Sequence, residues 1–387
     1  MRDREHGLPL DMVSFGDSLD VNTARIGDYT NVTNIGLYLM AVVAARELGL
    51  IDADLARQRA SLVLDTLGRL ESHGGFFFNY YDTTSLERTS NFVSFVDSAW
   101  LTAGLIVLRA AMPELARRAS TLIERGDFAF FYDETRGLMS HGYFAHLGLA
   151  SEYHYGLLYT EARIGSLIAI GKGDVPASHW QRMMRVFPAA CSWQTQEPRG
   201  GTYEWKGLRY VPSWGGSMFE ALMPALVVDE GRWAARSLGA NGVVHATVQR
   251  RWALEEARSP VWGSSPSRVP AGGYREFGIP ALGVRGYTGE VVTPHAAALA
   301  LAATPAEAIV DLRRLIELYD LYGDFGLYDA VDPRSGRVAR AYLALDQSMV
   351  LIALANYLQP HCIQDHFASD PIARRALPRL ASENFFD

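Results

Sequence analysis

A ring of six helical hairpins, an all-α (α/α)6 toroid, is the fold class that this 387-residue sequence predicts. Three observations predict it. Apolar residues recur at three- and four-residue spacing in twelve stretches, the signature of helices with a buried face. The stretches alternate between two kinds, one apolar nearly all round and one with an Arg/Glu-rich face. Long segments rich in Gly, Pro and aromatic residues separate each pair from the next. A helix apolar on every side is buried and one with a charged face lies outside. Alternation therefore implies two concentric rings.

The first helix is read over 34–48, with Asn34 as its cap and Leu37, Met40, Ala41 and Ala44 on one face. The second, 52–72, starts at Asp52, and the third, 97–111, at Asp97; Asp favours caps because it accepts a free backbone N–H. The fourth, 113–125, carries Pro113 in its first turn, where the missing N–H costs nothing. The fifth is read over 152–171, the sixth over 176–187 from Pro176, and the seventh over 216–228. The eighth spans 230–257 and breaks near Gly239–Gly242. The ninth, 294–303, and tenth, 305–320, open on Pro294 and Pro305. The eleventh, 346–358, starts at Asp346, and the twelfth covers 370–382. Odd members such as DSAWLTAGLIVL form the inner ring, and even members such as PELARRASTLIERG the outer. Residues 1–32 are an N-terminal extension packing on the ring, 33–382 the toroid, and 1–387 a single catalytic domain.

The connections 73–96, 126–151, 188–215, 258–293 and 321–345 each join an outer helix to the next inner one, so all open on one rim. Long connections in compact domains are usually functional. The aromatic residues, 8 tryptophans, 18 tyrosines and 17 phenylalanines in all, cluster at the junctions: FFFNYYD at 76–82, FAFFYDE at 128–134, EYHYGLLY at 152–159, SWGGSMF at 213–219 and FGLYD at 325–329. A weak repeat accompanies them, FNYYDTTSLE…VSFVDSAWL against FGLYDAVDPRSGRV…LALDQSMVL, with a partial third copy in FAFFYDETRG. Turn chemistry accounts for Thr83, Glu134 and Asp332, but not for Tyr-Asp recurring beside aromatics.

Composition narrows the function. The net charge is −7, Lys172 and Lys206 are the only lysines, and no basic run concentrates positive field; a nucleic-acid partner is disfavoured. No apolar stretch reaches the ~20 residues of a membrane span, and the first residues, MRDREHGLPLD, hold no signal-peptide core. The chain reads as cytoplasmic, or as exported with its signal removed; oligomeric state is open. Cys191 and Cys362 lack CxxC or Cys/His spacing, so no zinc site or disulfide framework is expected. No metal or other cofactor is called for, since a Dx[DN]x[DN]G calcium loop is also missing.

The acids carry the chemistry. Glu161 in LLYTEARIGSLI has Leu157, Leu158, Ile164, Gly165 and Ile168 on its helical face. A carboxyl group buried there has a raised pKa, which a general acid at neutral pH needs. Glu220, with Met223 and Pro224 nearby, is either similar or a buried ion pair. Asp97 and Asp346 sit at inner-helix starts on the loop rim, and Asp329 lies on the last long loop, placed to activate water. A protonated and an ionised carboxyl group beside aromatic platforms fit glycoside cleavage. The platforms are Tyr80, Tyr81, Trp100, Tyr155, Trp214, Trp262, Tyr274 and Tyr328. DDxxD, HExxH, GxSxG and Walker patterns are absent. A carbohydrate-binding protein without catalysis and a polysaccharide lyase using Tyr153, His154 or His295 are the alternatives.

At these residues the sequence resembles the bacterial glycoamylase-like family, allied to endo-β-1,2-glucanases and to the glycoamylase-like region of cyclic β-1,2-glucan synthases. TNIGLYLMAVVAARELG, FFFNYYDTTSLE, VSFVDSAWL, LLYTEARIGSLIAIGKGDVP, WGGSMFEALMP, VWGSSPSRVPAGGYREFGIPALG, GLYDAVDPRSGRV and YLALDQSMVLIALANYL carry the likeness over about residues 33–358. The resemblance implies an (α/α)6 fold and hydrolysis of a glycosidic bond in an oligo- or polysaccharide such as β-1,2-glucan, by inversion. It implies Glu161 as general acid and Asp329 as general base, with Asp82 and Asp97 binding sugar hydroxyls. Tyr81, Tyr155, Trp214, Glu220, Trp262, Tyr274, Glu276, Tyr328, Asp346 and Gln347 complete the expected substrate-binding set. One departure matters: the synthase branch carries Glu after WGxS, as in SES, where this chain has SSPSR with Pro266. That favours hydrolysis over transglycosylation and leaves Glu276 as a nearby substitute acid.

Overall fold

The computed structural model describes residues 2–16, 21–186 and 202–386. It is mostly helical. α1 (Val32–Glu47) is capped by Asn31, which accepts from the Thr33 N–H at 2.6 Å; the cap lies three residues before the expected Asn34. α2 (Ala53–Leu67) begins after Asp52, whose carboxylate accepts from the Leu55 N–H. α3 (Phe95–Ala111) is capped by Ser94 rather than Asp97, and Asp97 sits in the first turn. A 3-10 turn over Pro113–Leu115 leads into α4 (Ala116–Arg125), whose buried residues are Ala119 and Ile123 alone.

α5 (Arg163–Lys172) ends on Gly173 in the left-handed region at φ 87°, where glycine pays no Cβ penalty. It is far shorter than the expected 152–171. His154–Tyr155 instead form a strand against Met139–Ser140, and the Leu158 N–H donates to the Met184 carbonyl. The YHY stretch suits an extended chain, and tertiary hydrogen bonds override the helical spacing. α6 (His179–Arg182) is likewise a remnant of 176–187; Cys191 lies outside the described residues.

α7 (Met218–Leu222) tightens into a 3-10 turn over Met223–Leu226, because Pro224 cannot donate to the α ladder. α8 (Glu230–Trp233) and α9 (Leu238–Glu255) replace the expected 230–257, with the break before Gly239 rather than at it. α10 (Pro294–Leu299), α11 (Pro305–Tyr319) and α12 (Ala344–Leu358) follow. α13 (Cys362–Ser369) had no counterpart in the sequence reading, and α14 (Pro371–Ala376) starts on the Asp370 cap.

The apolar helices pack on one another: α1 against α3 and α12, α3 against α5, α10 against α12 and α7. Among the described residues a single large core cluster runs from Leu8 to Phe385. α1 and α3 cross closely. A Cβ added to Gly36 would lie 2.4 Å from the Trp100 carbonyl, and one on Gly104 2.3 Å from the Gly36 carbonyl. The two glycines are therefore required by backbone contact.

The connecting segments are not featureless loops. They form antiparallel pairs of two or three residues, which an all-α reading had not anticipated. The N-terminal segment joins them. Met12–Ser14 pairs with Arg25–Gly27 on one side and Ala341–Leu343 on the other, and Tyr29–Asn31 pairs with Tyr80–Asp82. No described helix is long and apolar enough to cross a membrane.

Gly104→Val should force α1 and α3 apart and destabilise the protein by about 1–3 kcal/mol or more. A urea-unfolding midpoint measured against the parent protein checks it.

Candidate active site

A cleft of about 410 Å³ opens beside the N-terminal ends of α1 and α3. Its walls come from distant segments: Asp11, Tyr29 and Asn31 from the N-terminal strands, Tyr80 from the first long connection, Asp97 and Trp100 from α3, Glu161 from the turn before α5, Phe219 from α7, and Arg268 and Tyr274 from the hairpin within 258–293. The strand pairings described above deliver Asp11 and Tyr29, and this hairpin pairs Ser267–Arg268 with Tyr274–Arg275 across Gly272 and Gly273, both at positive φ.

Glu161 is half-buried on this wall. Burial, then the negative charge of Glu220, pushes its carboxyl group up to about 7. Its main chain is fixed by Arg163, whose guanidinium is fully buried. That group donates to the Thr160, Glu220 and Ala221 carbonyls and makes a two-point contact with the Glu230 carboxylate at 2.8 and 3.0 Å. Glu161 thus sits just outside the helix on which the sequence placed it.

Glu220 turns away from the cleft. Its carboxylate accepts from the Ser213 hydroxyl and from the Gly215 and Ser217 N–H groups, closing a capping box with Ser217. Burial still raises its pKa. It acts on the cleft through its charge on Glu161.

Asp97 accepts from the Thr33 hydroxyl at 2.6 Å, and burial raises its carboxyl group. Tyr155 lies tilted against His141, ring centroids 4.3 Å apart, and its hydroxyl is held far above its usual range by burial and by the charges of Glu161 and Asp97. Asp11 accepts from the Asn34 amide at 2.9 Å; burial raises it while Tyr29, Asn34 and Arg268 pull the other way.

Asp329 lies one layer behind the wall, with 1% of its surface exposed. It accepts from the Arg268 N–H at 2.7 Å, while its Oδ1 and Asp346 Oδ2 are buried and face each other without a hydrogen-bond donor. His295 Nδ1 stands 3.6 Å from Asp346 Oδ2. Burial pushes both carboxyl groups up and drives His295 down to about 3. The donor atoms of His295, Asp329 and Asp346 lie within 4.8 Å of one another, a set that suits a shared proton or a divalent cation. Tyr274 on the cleft wall feels the same group; it is half-exposed, and its hydroxyl is raised by burial and by the charges of Asp346 and Asp329.

Several expected contact residues stand elsewhere. Tyr81 is wholly buried, its hydroxyl donating to the Glu71 carbonyl and accepting from the Phe78 N–H. Trp262 packs in the core beside Asp311, which accepts its N–H. Tyr328 is buried against Tyr342. Asp82 holds the 82–85 turn by accepting from the Thr84 and Ser85 N–H groups, which keep it below the usual carboxylate range. Trp214 stacks under the Arg285 guanidinium, Gln347 donates to the Leu327 carbonyl, and Glu276 is exposed, its charge helping burial to raise the Tyr287 hydroxyl. The sequence reading missed Asp11, Tyr29, Asn31, Phe219 and Arg268. Asp11 and Tyr29 belong to a segment whose sequence carries no motif, and only strand pairing brings them in.

The family model Glycoamylase, described as "Putative glucoamylase", matches residues 153–371. The chain belongs to this family. A second model, a protein of unknown function (DUF3131), matches residues 21–133. Among family relatives, cyclic beta-(1,2)-glucan synthase NdvB of Rhizobium meliloti is 32% identical over 286 residues, which are 70% of this chain but only 9% of that protein. An endo-beta-1,2-glucanase from Chitinophaga pinensis, solved with sophorotriose and glucose, superposes with TM-score 0.78 at 16% identity, covering 98% of this chain and 93% of that one. A putative glucoamylase from Bacteroides uniformis superposes with TM-score 0.80 at 18% identity, over 98% and 92% of the two chains. At such identities the structures share the family's fold.

Arg163→Ala should strand Glu230 as an unpaired buried carboxylate and cost about 3–5 kcal/mol. Chemical denaturation of the variant and its parent measures it.

Proposed function

We propose that this protein is an inverting glycoside hydrolase acting on β-glucan, β-1,2-glucan first among candidates, with Glu161 as general acid and Asp329 as general base. The observation that carries the reading is a carboxyl group raised to about 7 on the wall of a cleft lined by Tyr29, Tyr80, Trp100, Phe219 and Tyr274. Aromatic faces suit pyranose rings, and the acids and amides between them suit hydroxyls. The sequence relative and the structural neighbour named for β-1,2-glucan chemistry support the linkage. The finer architecture belongs to the same proposal: one catalytic domain in which α1, α3, α5, α7, α10 and α12 close as the inner ring of an (α/α)6 toroid. Arg163 bridges α5 to α7 where the helices themselves touch least.

Each step balances. Glu161 gives its proton to the glycosidic oxygen as the C–O bond breaks. A water attacks the anomeric carbon from the opposite face and passes a proton to Asp329. The products are a free hydroxyl on one fragment and an inverted hemiacetal on the other, and solvent exchange restores both carboxyl groups. Asp329 lies behind Arg268 and Tyr274, which fits a base that reaches the sugar through water. The Ser-Ser-Pro at 264–266, where the synthase branch carries Glu, supports hydrolysis over transfer.

Glu161→Gln and Asp329→Asn should keep the fold and lose at least about a thousandfold in kcat on linear β-1,2-glucan. Activity requires Glu161 protonated and Asp329 ionised, so the rate should fall as pH rises through about 7 and fall again on the acid side. NMR of the first product should show the inverted anomer. Binding of sophorose-type oligosaccharides without any cleavage across a panel of α- and β-linked glycans would favour a carbohydrate-binding role instead.

A further inference from the structure

Behind the cleft wall, three buried side chains converge with no other protein partner for the atoms that face inward: Asp329 Oδ1, Asp346 Oδ2 and His295 Nδ1. They come from the last long connection, from the first turn of α12 and from the first turn of α10. Two carboxylates cannot both stay charged at this distance in a site with so little water, because like charges in low dielectric repel strongly. His295 does not relieve them. At 3.6 Å its Nδ1 is beyond hydrogen-bond reach of Asp346, and its surroundings keep the ring neutral.

We propose that Asp346 is a positioning residue that holds one proton against Asp329, so that the base of the hydrolysis works as half of a carboxyl pair. The inference rests on the assignment of Asp329 as base. With Asp346 protonated, its O–H donates to Asp329 and the pair carries a single negative charge. The Arg268 N–H holds the other oxygen of Asp329 at 2.7 Å. Asp329 is thereby fixed at both oxygens and keeps the lone pair that takes the proton from water. Every charged or titratable group facing the pair fits this count. The Arg268 guanidinium offsets one negative charge. Asp11 adds repulsion that favours keeping the proton on Asp346. Tyr274 remains a neutral phenol.

The pair also has a signature that needs no substrate. Carboxyl groups raised in the folded state stabilise the protein fully below their unfolded values near 4, and that contribution is lost as pH rises through the folded values. Asp346→Asn keeps a donor toward Asp329 and cannot ionise. The melting-temperature advantage of D346N over the parent protein should therefore grow as pH rises above about 4, the unfolded value.

The experiment combines this titration with kinetics on linear β-1,2-glucan for D346N, D346A and D329N. D346N should lose no more than about tenfold in kcat and keep the acid limb of its pH profile in place. D346A should lose more than about a hundredfold with KM little changed, its acid limb moved to higher pH because Asp329 has lost its donor. A melting difference flat with pH would overturn the shared proton. So would D346N as impaired as D346A together with loss of parent activity in EDTA, or manganese or calcium raising the melting temperature of the parent but not of D346N. That result would make the trio a divalent-cation site. An active D329N would instead overturn the base assignment, and the melting series would still judge the proton.

Discussion

The site depends on a buried ion pair. Arg163 and Glu230 have almost no access to water, and burying two charges is costly unless every donor and lone pair is met. Here the guanidinium spends its N–H groups on the Glu230 carboxylate and on the carbonyls of Thr160, Glu220 and Ala221, with the Tyr159 ring below it at 4.8 Å. Those carbonyls belong to the residue before Glu161 and to the helix that carries Glu220. One cation therefore fixes the main chain under both acids. It sets how near their charges come, and that proximity, added to burial, keeps Glu161 protonated near neutrality.

The clustered aromatics divide into two populations with different work. Phe76, Phe95, Phe128 and Phe131 pack ring on ring, with centroids 4.7–6.3 Å apart, and floor the first two connections. Tyr29, Tyr80, Trp100, Phe219 and Tyr274 line the cleft. The division can fall between neighbours. In the Tyr80–Asp82 strand, Tyr80 reaches the cleft and Tyr81 the core, because successive side chains of a strand point to opposite faces.

Helix existence was legible because an apolar face or an apolar circumference recurs regularly, and Asp52, Pro113, Pro294, Pro305 and Asp370 mark starts that physical chemistry makes specific. The stretch 152–162 misled for the opposite reason. Its spacing is helical, but hydrogen bonds to Ser140 and Met184, remote in sequence, outweigh local preference. The repeated Tyr-Asp motif misled more subtly. Asp82, Asp133 and Asp332 each accept N–H groups two or three residues on, so they are the equivalent turn residues. In the last copy the turn aspartate has moved three positions past the Tyr-Asp, and Asp329 is left free to enter the interior. The spacing DAVDP against DTTS and DETR holds that difference. Nothing comparable marked Asp11, whose place depends on a partner strand at the far end of the chain.

That strand has a consequence for how the protein forms. Met12–Ser14 pairs with Ala341–Leu343, more than three hundred residues later in the chain, and the Ala344 N–H that opens α12 donates to the Asp11 carbonyl. During synthesis the first segment emerges long before its partner exists. Contacts of such separation are made late and slowly, after loop-closure entropy has been met. The cleft, whose lining includes Leu343 and Leu345, has no complete wall until the last quarter of the chain has emerged. A nascent or C-terminally shortened chain would therefore lack part of the cleft wall, whatever helices it had already formed.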